Sequence, residues 1–195
     1  MAGTQFLCFG EYLLYKGSNV YSINSCETIE VFYKIREDLD KLKYAVHITK
    51  IIMDVTYENQ NSYKILQLFL NTIYTIAETS KDLDFVTAVF KLRLLAILGF
   101  KPNVASCSSC GQKEKLSYFS FQDSGLKCDI CGKLDKSSLS ISEAAVTAIR
   151  YVVTIEPKQL FSFNISEEAK NELVMIANIY TNEKLEKNYK LEELF

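Results

Sequence analysis

Four cysteines in two pairs, Cys107-Ser-Ser-Cys110 and Cys128-Asp-Ile-Cys131, stand seventeen residues apart. No other feature constrains the chain as much. Each C-x-x-C turn aims two thiolates at one point, and the stretch between them is long enough for a short β-excursion that returns the second pair to the first. The spacing predicts a structural Zn2+ held by Cys107, Cys110, Cys128 and Cys131. Such a set is closed, leaving no coordination position for a substrate or an activated water, so the metal organises the fold. Gly111 and Gly132 follow the second cysteine of each pair, where a left-handed residue would help the backbone curl round the ion. Three other readings use the same residues. Two disulfides would suit a secreted chain, but Met1-Ala2-Gly3-Thr4-Gln5 offers no basic region followed by a long apolar run. A redox C-x-x-C normally occurs once, beside a βαβ pattern, and inert thiols would leave the spacing unexplained. Cys8 and Cys26 stand apart in apolar or strand-like surroundings and read as ordinary packed cysteines.

The chain has 195 residues, 48% hydrophobic and 24% charged, enough for one core plus an appended module. No run approaches the roughly 18 apolar residues of a membrane span, and the expected location is cytoplasmic. A formal charge of −2 and a pI near 5.6 exclude the strongly basic body that nucleic-acid binding usually leaves as its footprint. Charge is uneven, slightly basic over 32–139 and acidic over 140–195, so a phosphate-facing surface must come from local clusters in the earlier part. Catalysis is poorly supplied. The single histidine, His47, sits inside a helical pattern, and neither a Gly-rich phosphate loop nor a nucleophile elbow is present. The chain therefore reads as a non-enzyme.

Residues 1–31 read as β-structure: Phe6–Phe9, Tyr12–Tyr15, a Lys16-Gly17-Ser18-Asn19 turn, Val20–Ile23 and Thr28–Val31. The period then changes from two to near 3.6. Ile35, Leu39, Leu42, Val46, Thr49 and Met53 predict one helix over about 33–57, with His47 partly buried beside the stripe. A second helix carries Ile65, Phe69, Ile73 and Ile76, widened by Leu66 and Leu70. A third starts near Ser80 to Asp82 and runs through Leu83, Val86, Phe90, Leu94 and Ile97 to Gly99, where Pro102 prevents continuation. After the cysteine segment, Ser140 and Glu143 form an S-x-x-E capping box for a fourth helix with Val146, Ile149 and Val153. A last helix begins at Ser166, with Glu167 and Glu168 favourable to its dipole and Leu173, Ile176, Ala177 and Tyr180 on one face. The fold class is mostly α: a helical domain over 32–195 with an inserted four-cysteine zinc module at 103–135, preceded by a partial β-segment.

The order of these pieces resembles the bacterial recombination mediator family RecO. Cys8-Phe9-Gly10-Glu11-Tyr12-Leu13-Leu14-Tyr15-Lys16-Gly17 is similar to that family's last OB-fold strands. Phe90-Lys91-Leu92-Arg93-Leu94-Leu95 through Gly99-Phe100-Lys101-Pro102 is similar to its F-x-L-R-L-L helix end, which runs into the C-x-x-C-G of many members. Phe119, Gly125, Cys128 and Cys131 fit the second half of its zinc module, and Tyr189–Leu194 resembles its tail more loosely. The resemblance implies an OB-fold barrel, normally about 70 to 80 residues in that family, of which residues 1–31 would be a remnant.

The resemblance also implies a function: DNA repair and recombination without enzymatic activity, at the bacterial nucleoid. It implies binding to single- and double-stranded DNA, to RecR and to the C-terminal tail of single-strand-binding protein, with recombinase loading and strand annealing as the outcome. Backbone contacts from lysine and arginine would carry the DNA affinity and make it salt-dependent. The candidates for DNA or partner contact are Lys16 at the β-turn, Arg36 and Lys43 on the first helix, Lys91 and Arg93 on the third, and Lys101, Lys113 and Lys115 beside the zinc module. A lone lysine on an amphipathic helix is more often a solvated-face residue than a contact. Arg93 interrupts an apolar run, which predicts either a buried acidic partner or a ligand contact. The acidic, phenylalanine-ended tail needs an apolar pocket with a positive rim, and the helix ending at Gly99 offers both kinds of residue. Two other classes compete: a zinc-stabilised helical adaptor that binds only proteins, favoured by the acidic pI, and, more weakly, a metalloenzyme.

Overall fold

A computed structural model describes residues 5–18 and 20–191. Asn19 of the expected turn and Glu192–Leu194 of the expected tail lie outside them. Strands β1 (Cys8–Lys16) and β2 (Tyr21–Val31) form an antiparallel hairpin with Lys16 opposite Tyr21. The four short strands expected are thus two long ones, broken only by register shifts at Phe9/Gly10 and Leu13/Leu14. Leu13, Leu14, Tyr15, Tyr21 and Ile23 are exposed, while Leu7 and Phe9 pack on the helical core at the hairpin's base.

The helix expected over 33–57 is two helices, α1 (Tyr33–Arg36) and α2 (Leu39–Val55). Asp38 causes the break. Its extended backbone leaves the helical region, and its carboxylate accepts from the amides of Asp40 and Lys41 at 3.0 and 3.1 Å, capping α2. The interruption resets the helix phase, so the buried face of α2 is Ala45, Ile48, Ile51 and Val55, whereas Leu39 and Met53 of the expected stripe are each 73% exposed. His47 turns inward with the buried face.

Helices α3 (Tyr63–Glu78) and α4 (Leu83–Ile97) form where expected, Asp82 capping α4 through the amide of Phe85, but on α3 Leu66 of the expected face is exposed and Leu68 is buried instead. Every position from Phe85 to Leu95 except Arg93 is buried, because α4 is the central rod touched by α2, α3 and two later helices. The cysteine segment contains β3 (Leu116–Ser120), β4 (Gly125–Cys128), the short α5 (Asp129–Leu134) and β5 (Ser138–Ser140), with strand order β4-β3-β5. Then come α6 (Glu143–Thr154), a 3-10 turn at Pro157–Gln159 and α7 (Glu167–Lys184).

The capping box expected at Ser140 is not formed. Ser140 is committed to β5 opposite Tyr118, and Ser142 caps α6 by accepting from the amide of Ala145. The carboxylate expected from Glu143 comes instead from Glu172 of α7, which accepts from the amide of Ser142 and, at 2.6 Å, from its hydroxyl. Ser166 caps α7, and Leu173, Ile176, Ala177 and Tyr180 are buried as the pattern predicts. Among the described residues there are seven α-helices and two small antiparallel sheets, and no helix is long and apolar enough to cross a membrane.

Candidate functional site

The four cysteines converge. Cys107 and Cys110 lie on a tight turn in which the Gly111 amide donates to the Cys107 carbonyl at 2.9 Å. Gly111 holds φ +79°, the left-handed turn expected of it. Cys128 ends β4 and Cys131 sits in the first turn of α5. The turn is fixed to the sheet by the amides of Ser108 and Leu126, which donate to Leu126 and Asn103 carbonyls at 2.9 and 2.8 Å. All four sulfurs lie within 4.8 Å of one another, with Cys107 and Cys128 buried. All four are free thiols, and Sγ of Cys110 and Cys128 stand 3.8 Å apart, contact distance rather than a bond.

Gly132 departs from expectation. It is helical rather than left-handed, and its reason is space: a Cβ there would come within 2.2 Å of the Tyr118 ring. The site's electrostatics ask for a cation. Burial raises the Cys107 thiol, but amide donors from Cys110, Cys128 and Ser109 outweigh it and bring it down to about 6. The neighbouring sulfurs of Cys128 and Cys110 push Cys131 the other way, to about 12. One thiolate forms readily, and a fourth has nothing to balance it. Four convergent sulfurs with that imbalance can hold a metal ion.

A polar lock that the spacing did not reveal closes the module. Lys127 is buried and its ammonium reaches Asp123 at 2.6 Å and Asp135 at 2.8 Å. Asp135 also accepts from the hydroxyls of Ser120 and Ser137 and from the Ser137 amide. One side chain thus joins β3, β4 and the loop before β5.

The cationic candidates scatter. Lys16 is exposed at the hairpin end, its ammonium 5.7 Å from the Tyr21 ring centre, and Lys101, Lys113 and Lys115 are exposed beside the cysteine module. Arg36 donates to the Gln5 side chain at 2.7 Å and to the Phe6 carbonyl, so it tethers the hairpin. Lys43 lines a hollow with Asp40, Asp82 and Asp84. Lys91 departs from the exposed position expected of a backbone contact: it is 2% exposed and its ammonium donates to the Asn178 side-chain oxygen at 2.8 Å. Among the described residues Arg93 pairs with no acid and instead donates to the Val152 carbonyl at 3.2 Å.

Arg93 and Lys101 nevertheless meet. They line a cavity of about 460 Å3 between α3, α4 and α6, floored by Leu68, Ala96, Ile97, Val153 and Leu160. Lys64 of α3 joins them, a residue the sequence reading missed because it looks like any solvated helix lysine. Glu156 and Pro157 close the opposite side.

Comparison with known proteins adds three findings. A family model described as "Recombination protein O C terminal" matches residues 36–193. The curated "DNA repair protein RecO" of Acetivibrio thermocellus is 45% identical over 97% of this chain and 76% of its own length. Proteins of the same name from Clostridium novyi and Alkaliphilus metalliredigens are 30% and 29% identical, over 100% and 85% of this chain.

Proposed function

This chain belongs to the RecO family of DNA repair proteins, and from that membership we propose that it is a non-enzymatic recombination mediator. It binds single- and double-stranded DNA, RecR and single-strand-binding protein, and promotes recombinase loading and strand annealing. The observation that carries the reading is the cavity between α3, α4 and α6. An apolar floor under Lys64, Arg93 and Lys101 suits a peptide that ends in acidic residues and a phenylalanine, the ring filling the floor and the carboxylates meeting the rim. A fluorescent peptide of that composition should bind saturably in an anisotropy titration. Lys101→Glu, at an exposed position, should weaken it by at least roughly tenfold, the scale of a charge-assisted contact. A flat titration with the unaltered protein overturns the assignment.

The ion we assign to the four cysteines is Zn2+, since four thiolates at mutual contact distance match a closed tetrahedral all-cysteine site. Its role is structural: it holds the module, and residues 103–135 with it, against the helices. The β1–β2 hairpin is read as part of the family's OB-fold barrel and residues 32–195 as the helical domain.

A protein-only adaptor is favoured by a different observation: Lys91 is buried, and Arg36 is held by the Gln5 side chain and the Phe6 carbonyl. Titration of labelled single-stranded DNA at low salt separates the two. A mediator gives binding that falls steeply with salt, and an adaptor gives none.

A further inference from the structure

A second cavity, of about 390 Å3, lies where α2, α4, α7 and the chain after α7 meet, and it sets buried polar side chains beside apolar Val174 and Leu191, with Lys190 also in its lining. Lys91 and Thr87, one turn apart on α4, share it with His47 of α2 and with Asn178 and Asn182 of α7. All three of His47, Thr87 and Lys91 are at least nine-tenths buried. An ammonium has three donors, and among the described residues only the Asn178 side-chain oxygen, at 2.8 Å, accepts from Lys91. A buried cation with a single neutral partner is costly unless something else meets it.

Thr87 repeats the pattern. Thr49, Thr56, Thr72, Thr75, Thr79 and Thr154 each donate to the carbonyl four residues earlier. Thr87 does not, and its buried hydroxyl has no hydrogen-bond partner among the described residues. Thr181 shares that lack but lies outside the cavity lining. His47 makes no hydrogen bond among the described residues, and burial pushes its imidazole down to about 3, so at neutral pH it is an uncharged ring with one donor and one acceptor. Lys91, lowered to about 8 by burial, stays largely charged. Among the described residues the only acid in the lining is Asp84, which is already engaged by the Tyr44 hydroxyl at 2.7 Å.

We propose that this cavity binds the oxyanion head, phosphate or carboxylate, of a small molecule, with the Lys91 ammonium and the Thr87 hydroxyl as its principal donors. The volume suits a ligand with more than a bare ion. His47 and the asparagine amides would meet its polar body, and Asp84 would take a hydroxyl or amine at the far end.

His47 is the only histidine, so its ring NMR signals report on this cavity alone. Sodium phosphate and sodium acetate are titrated into the full chain at constant ionic strength and fixed pH. A saturable shift of the His47 signals is expected, lost in Lys91→Met and weakened at least roughly tenfold in Thr87→Val, as removal of a donor to a charged group requires. Tighter saturation by phosphate identifies a phosphate head, and tighter saturation by acetate a carboxylate. No saturable shift with either probe, or an undiminished one in Lys91→Met, overturns the proposal. If Lys91→Met fails to fold, the unaltered chain and Thr87→Val still decide it.

Discussion

Asp135 and His47 show how single side chains couple this fold to pH. Hydrogen bonds from the Lys127 ammonium, then from the Ser120 and Ser137 hydroxyls, hold the Asp135 carboxyl well below the usual carboxylate range. A depressed acid stabilises the fold fully above its unfolded value, near pH 4, and the contribution is lost as pH falls towards the folded one. Asp135→Asn should therefore cost about 2 kcal/mol in urea unfolding at pH 7, since Lys127 keeps only Asp123. The gap between variant and unaltered protein should narrow steadily below pH 4. His47 is a base pushed the other way. Burial first, then the charges of Lys91 and Lys50, lower it to about 3. The unfolded chain takes up a proton near pH 6.5 and the folded one does not, so stability is complete above 6.5 and declines as pH falls below it. Its NMR signals should stay at neutral-ring positions from pH 8 to 5. Titration near 6.5 would mean the ring is solvated.

At the scale of elements, substitutions at α5 and α6 separate geometry from pattern. Gly132→Ala drives a methyl into the Tyr118 ring and should destabilise the module by about 1–3 kcal/mol. Ser142→Ala removes a cap and the hydroxyl bonded to Glu172 and should cost about 1 kcal/mol, whereas Ser140→Ala should cost less, a ranking that thermal unfolding of the three variants checks. Those same positions mark the limit of what the sequence made legible. Helices α3 and α7 were readable from an apolar period, as in Leu173-Ile176-Ala177-Tyr180, and α4 from a near-continuous apolar run between Asp82 and Gly99. The cysteine cluster was readable because spacing alone restricts where four sulfurs can go. The break at Asp38 was not, since an aspartate looks ordinary inside a helical pattern until its carboxylate is seen on the Asp40 and Lys41 amides. Nor was Glu172 as the partner of Ser142, because the two are thirty residues apart and only packing of α6 on α7 joins them. Charge misled for a related reason. Lys91 and Arg93 look alike on a linear map, yet a step of two residues turns one towards the cavity between α2, α4 and α7 and the other towards the cavity between α3, α4 and α6.

Across the whole molecule, the cysteine module is joined to the helical body rather than hung from it. Leu116, Phe119 and Leu126 belong to the same buried cluster as Leu92, Ile149 and Ile176. The Phe119 ring meets Tyr180 of α7 edge-on at 5.4 Å, the Tyr180 hydroxyl donates to the Phe100 carbonyl at 3.0 Å, and Arg150 of α6 donates to the Val104 carbonyl at 2.8 Å. Four sulfurs therefore position strands that complete the main core. With the ion bound as proposed, its removal would leave Cys131 and its neighbours without a balancing cation, loosen β3 and β4, and expose the side chains they place against α6 and α7. Loss of metal should then be felt globally. Chelation, or Cys107→Ser, should lower the melting temperature of the helical circular-dichroism signal by roughly 10 °C or more, at about 2–4 °C per kcal/mol for a chain of this size. The melt should remain a single transition, coincident with the near-ultraviolet signal of Tyr118, the module's one tyrosine, read as the difference between the unaltered chain and Tyr118→Phe. An unchanged helical melt with a separate early loss of the Tyr118 signal would show instead that the module unfolds alone, and that Phe119 contributes little to the stability of the helices it touches.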